Sequence, residues 1–242
     1  MKISIAQIKP IKADLSTNFK KHLACITAAI SHHSDLIFFP ELSLIGYEPT
    51  LAKDCIFEIE SESLNVFQEI SNQQNLIICV GLPTQFEENI RISMLIFRPK
   101  LERLLYSKQQ LHADEYPFFI AGNDDVTFTC EDSIISPAIC FESLQENDAE
   151  EAFLKKSTIY LASVAKSESG VNKAFGHYSG IAQKYNMSVL MANSVGYCDN
   201  FMSFGNSAIW NQKGELIANL NSTEEAILTY DTENQQFMKI LI

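Results

Sequence analysis

No run of apolar residues in this chain approaches the about 18 needed to cross a bilayer, so no membrane span is expected. The opening segment MKISIAQIKP lacks an extended apolar core and a small-residue cleavage site, so no secretory signal is expected either. Positive charge is scarce: 18 Lys and Arg stand against 30 Asp and Glu, a formal net charge of −12. Such a surface disfavours nucleic acid and anionic membranes as partners. The six cysteines (Cys25, Cys55, Cys79, Cys130, Cys140, Cys198) contain no C-x-x-C pair, and several sit inside apolar runs such as LIICVG. They read as reduced thiols of a cytoplasmic protein rather than a disulfide framework or zinc site. The five histidines (His22, His32, His33, His112, His177) show no ligand spacing, so neither a metal nor an organic cofactor is expected. Repeats, low-complexity stretches and linkers are also missing, which leaves residues 1–242 as a single expected domain.

What is present is a 46% hydrophobic chain that alternates between two periodicities. Residues 2–8 alternate as an edge or half-buried strand would. Residues 17–32 place Phe19, Leu23, Ile26 and Ile30 on a helical stripe, with Ser16 or Thr17 as the expected cap. Residues 35–39 and NLIICVGLP read as buried strands, and Leu64, Phe67 and Ile70 mark a helix over 62–72. Residues 91–98 and 102–108 read as paired strands. SIISPAIC and STIYLASVA are strands flanking the helix NDAEEAFLKKS, whose acids lead and lysines follow, matching its dipole. A helix over 172–185, the strand MSVLMANSVG, a hairpin turning at 211–214 and the strand EAILTYDT complete the pattern. This is an α/β chain with internal hairpins, and so with mixed sheets.

Three strand ends carry chemistry. FFPELSLIGYEP sets Glu41 among Phe39, Pro40 and Leu42, where a carboxylate is costly unless paired or used. YSKQQLHADEYPFF sets Lys108 at a strand end and Glu115 in the loop beyond. ISPAICFES ends a strand at Cys140, followed by Phe141 and Glu142. Taken singly, Cys140 reads as a small core residue and Lys108 as a solvated surface lysine. Taken together, the three blocks resemble the signature blocks of the nitrilase superfamily, the carbon–nitrogen hydrolases, in order and in spacing: 67 residues from Glu41 to Lys108 and 32 from Lys108 to Cys140. The resemblance extends from KISIAQI to the run ANSVG and FGNSAIWNQKGELIA.

The resemblance implies an αββα sandwich that pairs with a second copy into an αββααββα homodimer. It also implies a Glu–Lys–Cys triad carried by Glu41, Lys108 and Cys140, with Glu115 as the assisting glutamate. A free thiol is mostly protonated at neutral pH and needs a base or a nearby cation. Glu41 suits the base, Lys108 the cation, and the Phe141 backbone N–H the oxyanion donor. The expected reaction is hydrolysis of a small linear amide through a thioester on Cys140. Nitrile hydrolysis, N-carbamoyl hydrolysis, acyl transfer to an amine and a catalytically silent scaffold are the competing readings. Two departures stand out. No proline follows the cysteine block, and Ile181-Ala182 stands where many members carry Arg-Ala. Glu142, Lys166 and Lys173 are the expected substrate-binding residues, and with His177 the two lysines would meet a substrate carboxylate.

Overall fold

The computed structural model describes residues 1–242 throughout. In chain order the elements are β1 (Lys2–Gln7), α1 (Leu15–Ser31), β2 (Leu36–Phe38), α2 (Asn65–Gln74), β3 (Ile77–Phe86), β4 (Asn89–Phe97), β5 (Leu104–Ser107), β6 (Phe128–Cys130), β7 (Ser133–Ile139), α3 (Glu146–Leu154), β8 (Ile159–Val164), α4 (Glu168–Tyr185), β9 (Ser188–Asn193), β10 (Val195–Cys198), β11 (Phe201–Phe204), β12 (Ala208–Trp210), β13 (Leu216–Asn219), β14 (Ala226–Asp231) and β15 (Phe237–Leu241). They build a seven-stranded sheet, β15-β14-β1-β2-β3-β4-β5, a six-stranded sheet, β13-β12-β9-β8-β7-β6, and the small hairpin β10-β11. Both large sheets are mixed. β1, β2 and β3 run parallel and β7, β8 and β9 run parallel, while the outer strands return antiparallel.

The central strands are buried on both faces, which is why they read as unbroken apolar runs rather than alternating ones. Cys25, Ile26 and Ala29 of α1 and Phe67 of α2 join the core shared by the two sheets. On the far side, Ala149 and Ala152 of α3 and Tyr178 and Ile181 of α4 pack on Tyr160, Val189 and Trp210 of the six-stranded sheet. The layering is therefore helix, sheet, sheet, helix. A direct tie joins the sheets where Ser163 Oγ, near the end of β8, donates to the Phe39 carbonyl at 2.8 Å.

Several local expectations differ from what folds. β1 is interior, not an edge, because its polar positions find buried partners. Ser4 Oγ lies 2.8 Å from Ser34 Oγ and 2.7 Å from Thr229 Oγ1, and Gln7 Nε2 donates to the Asn221 and Glu224 carbonyls. The cap of α1 is Asp14, whose carboxylate accepts from Thr17 N at 3.0 Å, in place of Ser16 or Thr17. Phe237–Leu241, beyond the last expected strand, supplies β15, which pairs antiparallel with β14 from Tyr230↔Phe237 to Ala226↔Leu241.

The topology gathers the chemistry at one end. Glu41 lies beyond β2, Lys108 beyond β5, Cys140 beyond β7 and Lys166 beyond β8, so all four follow the carboxyl ends of strands.

Candidate active site

Glu41 is held by a turn that tolerates no bulk behind it. Leu42 adopts a left-handed φ of 50°. β3 approaches so closely that a Cβ on Gly81 would fall 2.4 Å from the Pro40 carbonyl oxygen. Lys108 is fixed at both ends of its backbone: its N–H donates to Ile92 O at 2.8 Å, and its carbonyl accepts from Gly122 N at 2.7 Å. Its Nζ donates to Glu41 Oε1 at 2.7 Å and to Glu115 Oε1 at 2.6 Å, and all three side chains are essentially sealed from solvent. Glu115 is oriented in turn by the Tyr47 hydroxyl, 2.9 Å from Oε1, and by the His112 N–H, 2.7 Å from Oε2. Glu41 Oε2 has no hydrogen-bond partner, which leaves a basic oxygen for whatever approaches.

Cys140 follows β7 in a left-handed conformation, φ 51°. A non-glycine residue held this way costs about 1–3 kcal/mol, a strain that functional sites often carry. The turn is locked by Cys140 N donating to Ser163 O at 3.0 Å and by Ser143 Oγ donating to Cys140 O at 2.6 Å. The half-buried thiol faces Ala165 O at 3.6 Å, and Lys166 Nζ stands 3.8 Å from Sγ and 3.2 Å from the Cys140 carbonyl. The Phe141 N–H, directly after Cys140, has no partner within the chain and so is free to donate to an oxygen in the cavity.

Burial dominates the electrostatics. It raises Glu41 from 4.5 to about 7, with Glu115 adding and Lys108 opposing. It raises the Cys140 thiol to about 11, with Glu41 adding and Lys166 and Lys108 opposing. On Lys108 burial works against the charge, but Glu41, Cys140 and Glu115 outweigh it and keep the ammonium protonated. The resting site is therefore a thiol beside a carboxylate whose proton affinity suits neutral pH, the match general-base catalysis requires.

A cavity of about 390 Å³ opens onto this cluster, lined among others by Tyr47, Glu115, Cys140, Phe141, Lys166 and Lys173. Glu41, Lys108, Glu115, Cys140 and Phe141, scattered over 100 positions of sequence, thus meet in one place. Glu142, expected at the substrate, is placed elsewhere. It is fully buried below Cys140 and accepts from Tyr106 Oη, Ile139 N, Gln109 N and Gln110 N, so it braces the loops that carry Cys140 and Lys108. Lys173 is exposed on the rim, and Lys166 is turned to the thiol. His177 lies on α4 outside the lining. Sequence reasoning missed Tyr47, Phe201 and Asn193. Tyr47 belongs to the Glu41 block and was the readable one of the three. Asn193, whose Oδ1 accepts from Lys166 N at 2.8 Å, reads from sequence as one more residue of a buried strand.

A half-buried thiol on a strained turn stands beside a buried carboxylate–ammonium–carboxylate chain between two mixed sheets, in a nitrilase-type fold. Residues 2–236 match the carbon-nitrogen hydrolase family, and the chain belongs to that family, within the nitrilase superfamily. A glutamine-dependent NAD(+) synthetase of Acinetobacter baylyi is 24% identical over 250 residues, covering 99% of this chain and 46% of that protein. The chain spans less than half the length of the NAD(+) synthetases it matches. An arylacetonitrilase of Aspergillus oryzae is 21% identical, covering 99% of this chain and 84% of that protein. Among solved structures, a cysteine-to-alanine mutant of the amidase from Nesterenkonia sp. AN1 in complex with butyramide superposes with a TM-score of 0.84 at 18% identity, over 95% of this chain and 89% of that one.

Proposed function

We propose that the protein is a cysteine-dependent amidase that hydrolyses a small linear carboxamide to ammonia or an amine and a carboxylic acid. The observation that carries this reading is the Glu41–Lys108–Glu115 chain, closed to solvent on one side and presenting a free Glu41 oxygen beside Cys140 on the other. Glu41 takes the Cys140 proton as Sγ attacks the carbonyl carbon. Electrons of the C=O bond move to oxygen, where the Phe141 N–H and Lys108 stabilise the negative charge. The intermediate collapses, the C–N bond breaks, and Glu41 returns its proton to the leaving nitrogen. A thioester remains on Cys140. Glu41 then draws a proton from water, the hydroxyl oxygen adds to the thioester carbon, and the acid leaves as the proton returns to sulfur. The size of the cavity suits a short acyl chain, and the bound butyramide of the Nesterenkonia protein supports that choice. The synthetase relatives, described as glutamine-dependent, add the side-chain carboxamide of glutamine as a second substrate to test. A homodimer in αββααββα arrangement, in the cytoplasm, goes with the reading.

The test is ammonia release from acetamide, butyramide, glutamine, N-carbamoyl amines and nitriles. Acyl transfer to hydroxylamine reports the thioester, and intact-mass detection places the acyl group on Cys140. Turnover of a carboxamide with an acylated Cys140 supports the reading. Turnover of nitriles or carbamoyl compounds alone, or of none with Cys140 unmodified, overturns it.

A further inference from the structure

Lys166 is a buried ammonium that no carboxylate neutralises. It is 5% exposed and makes no ion pair within 4.0 Å. The only acceptors its Nζ reaches are the carbonyl and the sulfur of Cys140, at 3.2 and 3.8 Å. Its placement is built rather than incidental. The backbone N–H is held by Asn193 Oδ1 at 2.8 Å, and the carbonyl accepts from Asn193 Nδ2 at 3.2 Å and Phe204 N at 2.9 Å. The side-chain stem runs along the first turn of α4 at Gly170, where even a Cβ would stand 3.2 Å from Lys166 Cβ and 3.5 Å from Cγ.

Charge balance gives the ammonium a purpose. Glu41, Lys108 and Glu115 form a closed set of two carboxylates and one ammonium, so Lys108 is already shared between two anions. A thiolate forming beside that set would be the third negative group against one positive. When the Cys140 proton moves to Glu41, one carboxylate is neutralised and the charge reappears on sulfur, 3.8 Å from Lys166. We propose that Lys166 is a further catalytic residue of this site, the cation that stabilises the Cys140 thiolate, while Lys108 serves the carboxylates and the oxyanion. The proposal rests on Cys140 being a nucleophile but on no particular substrate. The same charge acts twice: first when sulfur loses its proton, and again when sulfur leaves the acyl carbon as the thioester is hydrolysed.

The other titratable groups around the thiol are Glu41 beyond β2, Lys108, His112, Asp114 and Glu115 beyond β5, and Lys173 on α4, while His177 of α4 lies outside the cavity and faces Glu146 and Lys166. Only Lys166 and Lys108 hold their positive charge against the sulfur itself.

The test uses iodoacetamide, which reads the thiolate without any amide turnover, so a wrong substrate assignment cannot disturb it. Alkylation is followed from pH 6 to 10 and mass-mapped among the six cysteines, for the parent, Lys166→Met, Lys166→Gln and Lys166→Arg. The expected result is a Cys140 alkylation rate at least about tenfold lower across pH 6 to 10 in the Met and Gln variants, the consequence of a thiol midpoint, above that range already in the parent, raised by at least one pH unit. The Arg variant should restore most of the rate. Gly170→Ala, which crowds the stem without removing charge, should move the midpoint the same way by less. Unchanged profiles in the Met and Gln variants overturn the proposal, as does an Arg variant no better than Met. A loss confined to KM for a dicarboxylic monoamide, with alkylation unaltered, also overturns it and makes Lys166 a substrate anchor instead.

Discussion

Replacing Glu41 by Gln separates what the carboxylate does for catalysis from what it costs the fold. The amide oxygen can still accept from Lys108 Nζ, now 2.7 Å from Oε1, so the shape of the site is kept. The base is lost. Removal of one positioned general base costs about 10²–10⁴ in rate, and Glu41 serves both halves of the proposed cycle, so a loss at or beyond the upper end is expected. Stability should move the other way. Glu41 is raised from 4.5 to about 7 by burial, so folding favours its neutral form. That contribution is fully present below the unfolded-state value and is lost as pH rises through about 7. Above that, the ionised carboxylate costs up to roughly 3 kcal/mol against the unfolded chain. Gln carries no such cost. In thermal unfolding followed from pH 5 to 8, Tm of the variant minus Tm of the parent should therefore rise with pH. The rise should reach as much as about 6–12 °C, at about 2–4 °C per kcal/mol for a chain of this size. In the parent, kcat/KM should fall as pH drops through about 7, as Glu41 takes up its proton. A Tm difference that is flat or falls with pH refutes the electrostatic account. A variant retaining a rate within about tenfold of the parent refutes the base assignment.

Cys140→Ala should abolish turnover while leaving Tm nearly unchanged, because the left-handed residue is half-buried, lines the cavity and touches the core only at its edge, so the loss of one small sulfur removes little packing; turnover comparable with the parent would remove Cys140 from the mechanism. Glu142→Gln should be destabilising by about 1–3 kcal/mol, since its new NH₂ group must face one of two pairs of buried donors. An unchanged Tm would show that Glu142 does not brace the loops. Lys173→Met tests recognition of a carboxylate on the substrate. Because Lys173 is exposed, the expected rise in KM for a dicarboxylic monoamide is modest, within about fivefold, the value of a solvent-screened ion pair. No difference from a neutral amide of equal length would exclude Lys173 from recognition.

Much of this protein is local in origin and so was legible in its sequence. Buried central strands must be continuously apolar, helices must carry a stripe, and a hairpin turning at 211–214 follows from its own residues; each of these elements forms where its pattern places it. The carboxylate after Phe39 and Pro40 was conspicuous because burying it without a partner is costly. What the sequence alone left open are matters of distance between segments. The interior place of β1 depends on Ser34, Thr229 and the 221–224 turn supplying its polar side chains with partners, none of which a period-2 pattern records. Glu142 sits two residues past Cys140, yet Tyr106 and the 109–110 loop, more than 30 positions earlier, claim both of its oxygens. Lys166 and Lys173 look alike in a polar run. One is drawn under the thiol by Asn193 and the bare edge of Gly170, and the other is left at the rim, because tertiary packing alone decides which side chain can reach a buried sulfur.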